Sequence, residues 1–189
     1  MHYLNRYWVG LVLILATCCV LQLLPQWHQQ LSFHSETVMS QGWPLITTHF
    51  IHLNWTHALF NLAGLALIVI IWREYWNTRW LVNALLLSSA ATSLILWLLP
   101  FTIIFVGLSG VLHGLLGYCL IKDIKAGKKW MWLILVALIG KVVVELLGWQ
   151  PDHFVGQHVS YIHAAGLLTA LLLYKLERRR LSDAVPHKD

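Results

Sequence analysis

Residues 107–117 read Gly107-Leu108-Ser109-Gly110-Val111-Leu112-His113-Gly114-Leu115-Leu116-Gly117, a run without a single charged side chain. Gly110, Gly114 and Gly117 recur every three or four positions, so in a helix they share one face. Glycine weakens a helix by about 1 kcal/mol relative to alanine. Three glycines on one face make physical sense where a second helix backbone must come close, as in membrane bundles. The whole chain agrees with that setting. Of its 189 residues, 58% are hydrophobic and 11% are charged, and its mean hydropathy is +0.66. A soluble domain carries roughly 25% charge, so disorder, a secreted disulfide scaffold and an ordinary soluble enzyme are all disfavoured.

Working outward, apolar runs bounded by polar residues predict an all-α polytopic membrane protein with six transmembrane helices. The spans are expected at 7–24, 57–72, 80–99, 107–121, 130–147 and 159–176, in a single membrane domain 1–189 that ends in a basic cytoplasmic tail, 177–189. The basic residues then give an orientation. Arg6 precedes span 1. Arg73 and Arg79 lie between spans 2 and 3, and Lys122, Lys125, Lys128 and Lys129 between spans 4 and 5. Lys175, Arg178, Arg179, Arg180 and Lys188 follow span 6. All are on one side, which the positive-inside rule makes cytoplasmic together with both termini. The tryptophans are expected at the two interfaces: Trp72, Trp76, Trp80, Trp130 and Trp132 on the cytoplasmic side, and Trp43, Trp55, Trp97 and Trp149 on the outer side. The net charge of +5 is read as topology, and no nucleic-acid partner is expected. The first span is read as a retained helix in preference to a cleaved signal peptide. Cys18, Cys19 and Cys119 are read as small buried hydrophobes.

The remaining basic residue, Lys141, falls inside span 5 four residues before Glu145. An i, i+4 pair shares a helical face. It is read as a self-neutralising ion pair in the cytoplasmic half of that span, in preference to a proton or ion relay.

Polar residues cluster toward the outer ends of spans 2, 4 and 6. His57 and Asn61 share one face of span 2, and desolvating both is worthwhile only if each finds partners in the bundle interior or a wet cavity. Ser109 opens the smooth face of span 4, beside the free backbone N–H groups of a helix start, which suit a developing oxyanion. His163 precedes Gly166 and Ala170 at i, i+3, i+7 on span 6. If that groove packs on the glycine face of span 4, a nucleophile and a general base meet on facing helices. No acid to orient the base, as in a triad, is evident.

Taken together, His52, His57 and Asn61, then Gly107-Leu108-Ser109-Gly110, then His163-Ala164-Ala165-Gly166, on spans 2, 4 and 6 in that order, resemble the rhomboid family of intramembrane serine proteases. The resemblance covers most of the chain from about Trp43 to Tyr174. It implies a rhomboid-like six-helix bundle with Ser109 as nucleophile and His163 as general base, with no cofactor and no metal. It also implies an oxyanion hole from His57, Asn61 and the Ser109 backbone N–H. His52, Gly107, Gly110, His113, Gly114 and Gly166 would support the site. Two features depart from the commonest bacterial pattern: His113 stands where many relatives carry a tyrosine that packs on the catalytic histidine, and the first loop is short. The Ser-Gly-x-x-His-Gly variant resembles the rhombosortase branch, whose proposed substrates end in a Gly-Gly motif, an apolar span and a basic tail.

The implied activity is cleavage of single-span substrates in or near the outer half of the bilayer. The implied location is a bacterial inner (cytoplasmic) membrane, with the site open to the periplasmic side. Substrate identity, hydrolysis versus transfer, and oligomeric state stay open. An alternative is a non-catalytic rhomboid-like protein that binds client transmembrane helices; such proteins typically lack the serine or the histidine. A metal site or transporter built from the eleven histidines is disfavoured because His-Glu-x-x-His is absent. His113 is read as packing on His163. His2, His28, His34, His153 and His187 are read as solvated.

Overall fold

The computed structural model describes residues 7–149 and 158–183. Arg6, Lys188, His2, His153, His187 and most of the loop expected between spans 5 and 6 lie outside the described residues. Six long helices carry the described chain: α1 (Tyr7–Gln22), α2 (Trp55–Ile71), α3 (Thr78–Trp97), α4 (Ser109–Lys125), α5 (Met131–Leu146) and α6 (Val159–Asp183). Their ends differ from the expected spans for local reasons. Asn54 caps α2 by accepting the His57 N–H at 2.8 Å, and Asn77 caps α3 by accepting the Trp80 N–H at 2.9 Å. Each cap starts its helix two residues before the apolar run. At the other end α6 runs on to Asp183, so Arg178, Arg179 and Arg180 belong to the helix and not to a separate tail.

By length and apolarity alone two helices can cross a membrane, Thr78–Trp97 and Val159–Ser182. Two bent pairs raise that to as many as four: Tyr7–Gln22 with Pro25–Leu31, bent by 86°, and Pro44–Phe50 with Trp55–Ile71, bent by 97°. The shorter helices have 16 or 17 residues. They rise only about 25 Å against a hydrocarbon core of about 30 Å.

One feature lies outside an all-helical reading. Phe33–His34 pairs antiparallel with Ile104–Phe105, Phe33 opposite Phe105. Thr48 locks this clip, accepting the Phe33 N–H at 3.1 Å and donating its hydroxyl to the Phe105 carbonyl at 2.5 Å. The Thr48 carbonyl in turn accepts the Gly107 N–H at 2.9 Å, which fixes the approach to α4. His34 is half-buried in the clip, and the half-buried His28 ring donates to the Leu21 carbonyl at 3.0 Å. Neither is the solvated loop residue expected.

α4 sits at the centre and packs most closely on α6, which also covers α3. The glycine faces meet there. A Cβ on Gly110 would lie 2.8 Å from the Ile162 carbonyl oxygen, and one on Gly117 would lie 2.9 Å from the Ala170 Cβ. A Cβ on Gly166 would overlap the Gly110 carbonyl. Beside this seam Ser88 and Thr169 share a hydroxyl hydrogen bond of 2.6 Å between α3 and α6. Cys18 and Cys119 are buried and all three cysteines are free, Cys19 being half-buried.

At the opposite end of α4, Trp72, Trp76 and Trp80 are buried in the core and do not face lipid headgroups as expected. Trp72 is held there by Asp123, itself fully buried. It accepts the Trp72 indole N–H at 2.7 Å, the Tyr75 hydroxyl, and the Lys128 ammonium at 2.8 Å. The Asp123 hydrogen bond raises the Lys128 pKa above its ordinary value. Trp80 donates to the Tyr118 hydroxyl at 2.9 Å. Trp130 and Trp132 do stay exposed. Replacing Asp123 with Asn keeps the shape and removes the charge that three donors share. The Asp123→Asn variant is expected to lose about 2 kcal/mol of stability in a denaturation titration in detergent micelles.

Candidate active site

Ser109 is the first residue of α4. The residue before it, Leu108, offers no side-chain cap, so the first-turn N–H groups are left for another acceptor. Gly107 makes the turn into the helix at φ +118°, where a Cβ would stand 2.7 Å from the His57 ring. Only glycine combines that backbone angle with so close a ring. His57 is thus held against the Gly107-to-Ser109 turn from α2.

Other groups of α2 and of the segment before it gather behind it. The His52 ring meets the His57 ring edge-on, centroids 5.1 Å apart, while the His52 N–H donates to the Gln22 side chain at 3.2 Å. Asn61 is buried and spends one amide hydrogen on the His57 carbonyl at 3.0 Å. Both His52 ring nitrogens and the His57 Nδ1 are buried with no partner among the described residues. Buried polar atoms of this kind usually mark a place where water or a ligand completes the pairing. His49 is buried as well: its Nε2 lies within 3.1 Å of the Ser93 hydroxyl and 3.2 Å of the Ser89 carbonyl, and its Nδ1 also has no partner among the described residues.

From α6, His163 Nε2 lies 3.1 Å from the Ser109 Oγ. The seam of Gly110, Gly114 and Gly166 sets this distance, because the two backbones touch at Gly110, next to Ser109, and at Gly166, about one turn past His163. His163 is buried. The His113 ring stacks on it, centroids 4.1 Å apart and planes within 20°. His113 Nδ1 lies 2.7 Å from the Ser109 carbonyl oxygen, and a carbonyl can only accept, so that nitrogen carries the proton.

α5 supplies what the sequence reading missed. The Glu145 Oε2 lies 2.8 Å from His163 Nδ1 and its Oε1 2.9 Å from the Lys141 ammonium. Lys141 also lies 2.9 Å from His113 Nε2 and 3.0 Å from His163 Nδ1. The pair therefore stands in the last turns of α5, at the same end of the bundle as Ser109. It does not stand in the half of α5 next to the Lys-rich loop, where it is expected from the sequence. The signal was present: α5 follows the Lys-rich loop, so its C-terminal turns point to the same side as the N-termini of α4 and α6. Among the described residues, no three His, Cys, Asp or Glu side chains converge in a way that could hold a metal ion.

The family model for the Rhomboid domain matches residues 39–180. The chain belongs to the rhomboid family. Members of this family are intramembrane serine proteases acting on transmembrane substrates, and the apolar helices of this rhomboid chain accord with an integral membrane protein. No curated protein matches it.

A methyl group at Gly166 must displace backbone and cannot be relieved by a side-chain rotation. Overpacking of this kind costs about 1–3 kcal/mol, while a shift of about 1 Å between reacting groups costs roughly 100-fold in rate. Gly166→Ala protein is expected to remain folded in micelles and to lose about 100-fold in the rate at which Ser109 is modified by a serine-directed probe.

Proposed function

We propose that this protein is an intramembrane serine endopeptidase in which Ser109 is the nucleophile and His163 its general base. The observation that carries the reading is the 3.1 Å approach of His163 Nε2 to the Ser109 Oγ on two helices held together by bare backbone. Substrate approach by the side of the bundle is supported by an apolar groove between α2, α4 and α5. Gly64, Leu67, Leu112, Leu116 and Leu138 line it together with His113.

Unwinding of the substrate helix presents a peptide carbonyl to Ser109. The Ser109 Oγ bonds to the carbonyl carbon as its proton passes to His163 Nε2. The oxygen that becomes negative faces the Ser109 backbone N–H, His57 and the second amide hydrogen of Asn61. The C–N bond then breaks, the amine leaves with the proton from His163, and water or another nucleophile resolves the acyl-enzyme. His52, whose ring nitrogens have no hydrogen-bond partner among the described residues, organises water behind His57.

The finer reading is a six-span bundle with both termini cytoplasmic and the site opening to the outer, periplasmic side of a bacterial inner membrane. It rests on the one-sided distribution of every Lys and Arg except Lys141. A rhombosortase-like preference for anchors containing Gly-Gly rests on the Ser-Gly-x-x-His-Gly sequence at 109–114 and on helix physics. Each glycine lowers the cost of unwinding a substrate helix by about 1 kcal/mol relative to alanine. Cells carrying Ser109→Ala are expected to retain membrane proteins that wild-type cells release, and mass spectrometry of the released C-termini should find Gly-rich juxtamembrane tails. Identical released proteins from both strains would count against proteolysis.

A further inference from the structure

We infer that Glu145 is the positioning acid for His163, so that the site operates as a Ser-His-Glu relay. Lys141 and His113 fix the carboxylate in place. This inference rests on the reading of Ser109 and His163 as nucleophile and base.

The argument is one of hydrogen counting. A neutral imidazole carries one proton, and Ser109 can be deprotonated only if that proton is on Nδ1, leaving the Nε2 lone pair toward the Ser109 Oγ at 3.1 Å. An ionised carboxylate can only accept. With Glu145 Oε2 at 2.8 Å from His163 Nδ1, the productive tautomer is favoured, and the other would set two lone pairs against each other. The second carboxylate oxygen accepts from Lys141 at 2.9 Å, so both oxygens are engaged.

Lys141 lies 3.0 Å from His163 Nδ1, but a protonated Nδ1 offers it no lone pair. Its hydrogens go to Glu145 Oε1 and to His113 Nε2 at 2.9 Å. His113 Nε2 can accept because His113 Nδ1–H is committed to the Ser109 carbonyl at 2.7 Å. In this one assignment of protons, His163 Nδ1–H and His113 Nδ1–H each meet an acceptor, and two of the three Lys141 hydrogens do as well. Glu145 is buried, whereas Lys141 reaches it from a partly exposed position. A carboxylate placed alone at such depth is costly; the lysine leaves the pair without net charge. When His163 takes the serine proton, the same carboxylate faces the imidazolium that forms.

A purely structural ion pair and a positioning acid give different results when the pair is removed together. The test uses the full-length protein in detergent micelles and a fluorophosphonate probe over a range of concentrations, separating the maximal rate of modification of Ser109 from the half-saturating concentration. Glu145→Gln is expected to lower the maximal rate about 100-fold or more with the half-saturating concentration unchanged, and Glu145→Asp to recover part of it. The double variant Lys141→Met/Glu145→Gln leaves no unpaired charge, so it keeps the fold even if the single variant does not, and its rate is expected to stay low. A double variant or a Glu145→Gln variant that reacts at the wild-type rate would overturn the role of Glu145. Wild-type labelling that survives Ser109→Ala would instead overturn the nucleophile on which the inference stands.

Discussion

The structure depends on one contact, the touching backbones of α4 and α6 at Gly110 and Gly166. Nothing larger than hydrogen fits there. Apolar side chains gain little from meeting each other in lipid, so helices in a bilayer associate through close packing and polar contacts. The glycine seam supplies the first and the Ser88–Thr169 hydroxyl pair beside it the second. With the seam closed, the first turn of α4 and the second turn of α6 are at a fixed separation. A serine and a histidine placed there meet without any flexible loop between them. Precision at the site is thus a by-product of the packing beside it.

Around that pair the polar groups fall into two sets with different supports. His57, Asn61 and His52 come from α2 and the segment before it, positioned by the Asn54 cap, by the turn at Gly107 and by the Thr48 clip. Glu145, Lys141 and His113 come from the opposite side, α5 and α4, and form a connected chain of hydrogen bonds ending at the Ser109 carbonyl. In the proposed mechanism the first set faces where a carbonyl oxygen gains charge, and the second faces Nδ1 of His163, the proposed base. On the His163 ring itself Ser109 meets Nε2 and Glu145 meets Nδ1. His113 serves twice, as the ring stacked on His163 and as the acceptor for Lys141.

Much of this arrangement was legible in the chain. Scarcity of charge announced the bilayer, and the i, i+3, i+4 and i+7 spacing of Gly110, Gly114, Gly117, His163, Gly166 and Ala170 foretold which helix faces touch. What was not legible has physical causes. The pairing of Phe33–His34 with Ile104–Phe105 is two residues long, too short to leave an alternating pattern. Trp72, Trp76 and Trp80 were assigned to an interface by residue type, yet Asp123 draws their end of the molecule inward through hydrogen bonds between residues about fifty positions apart. Glu145 was recognised as costly but paired only with its helical neighbour. Its second oxygen is satisfied by a residue eighteen positions on, across a loop that carries no spacing information.

The central claim is that Ser109 is an activated nucleophile because of where the seam holds His163. It is tested most directly by treating the purified full-length protein, reconstituted in lipid, with a fluorophosphonate and locating the adduct by peptide mass spectrometry. The account predicts a single phosphonylated residue, Ser109, in the wild type and no adduct in His163→Ala protein. Modification of another residue, or undiminished modification of Ser109 without His163, would contradict it.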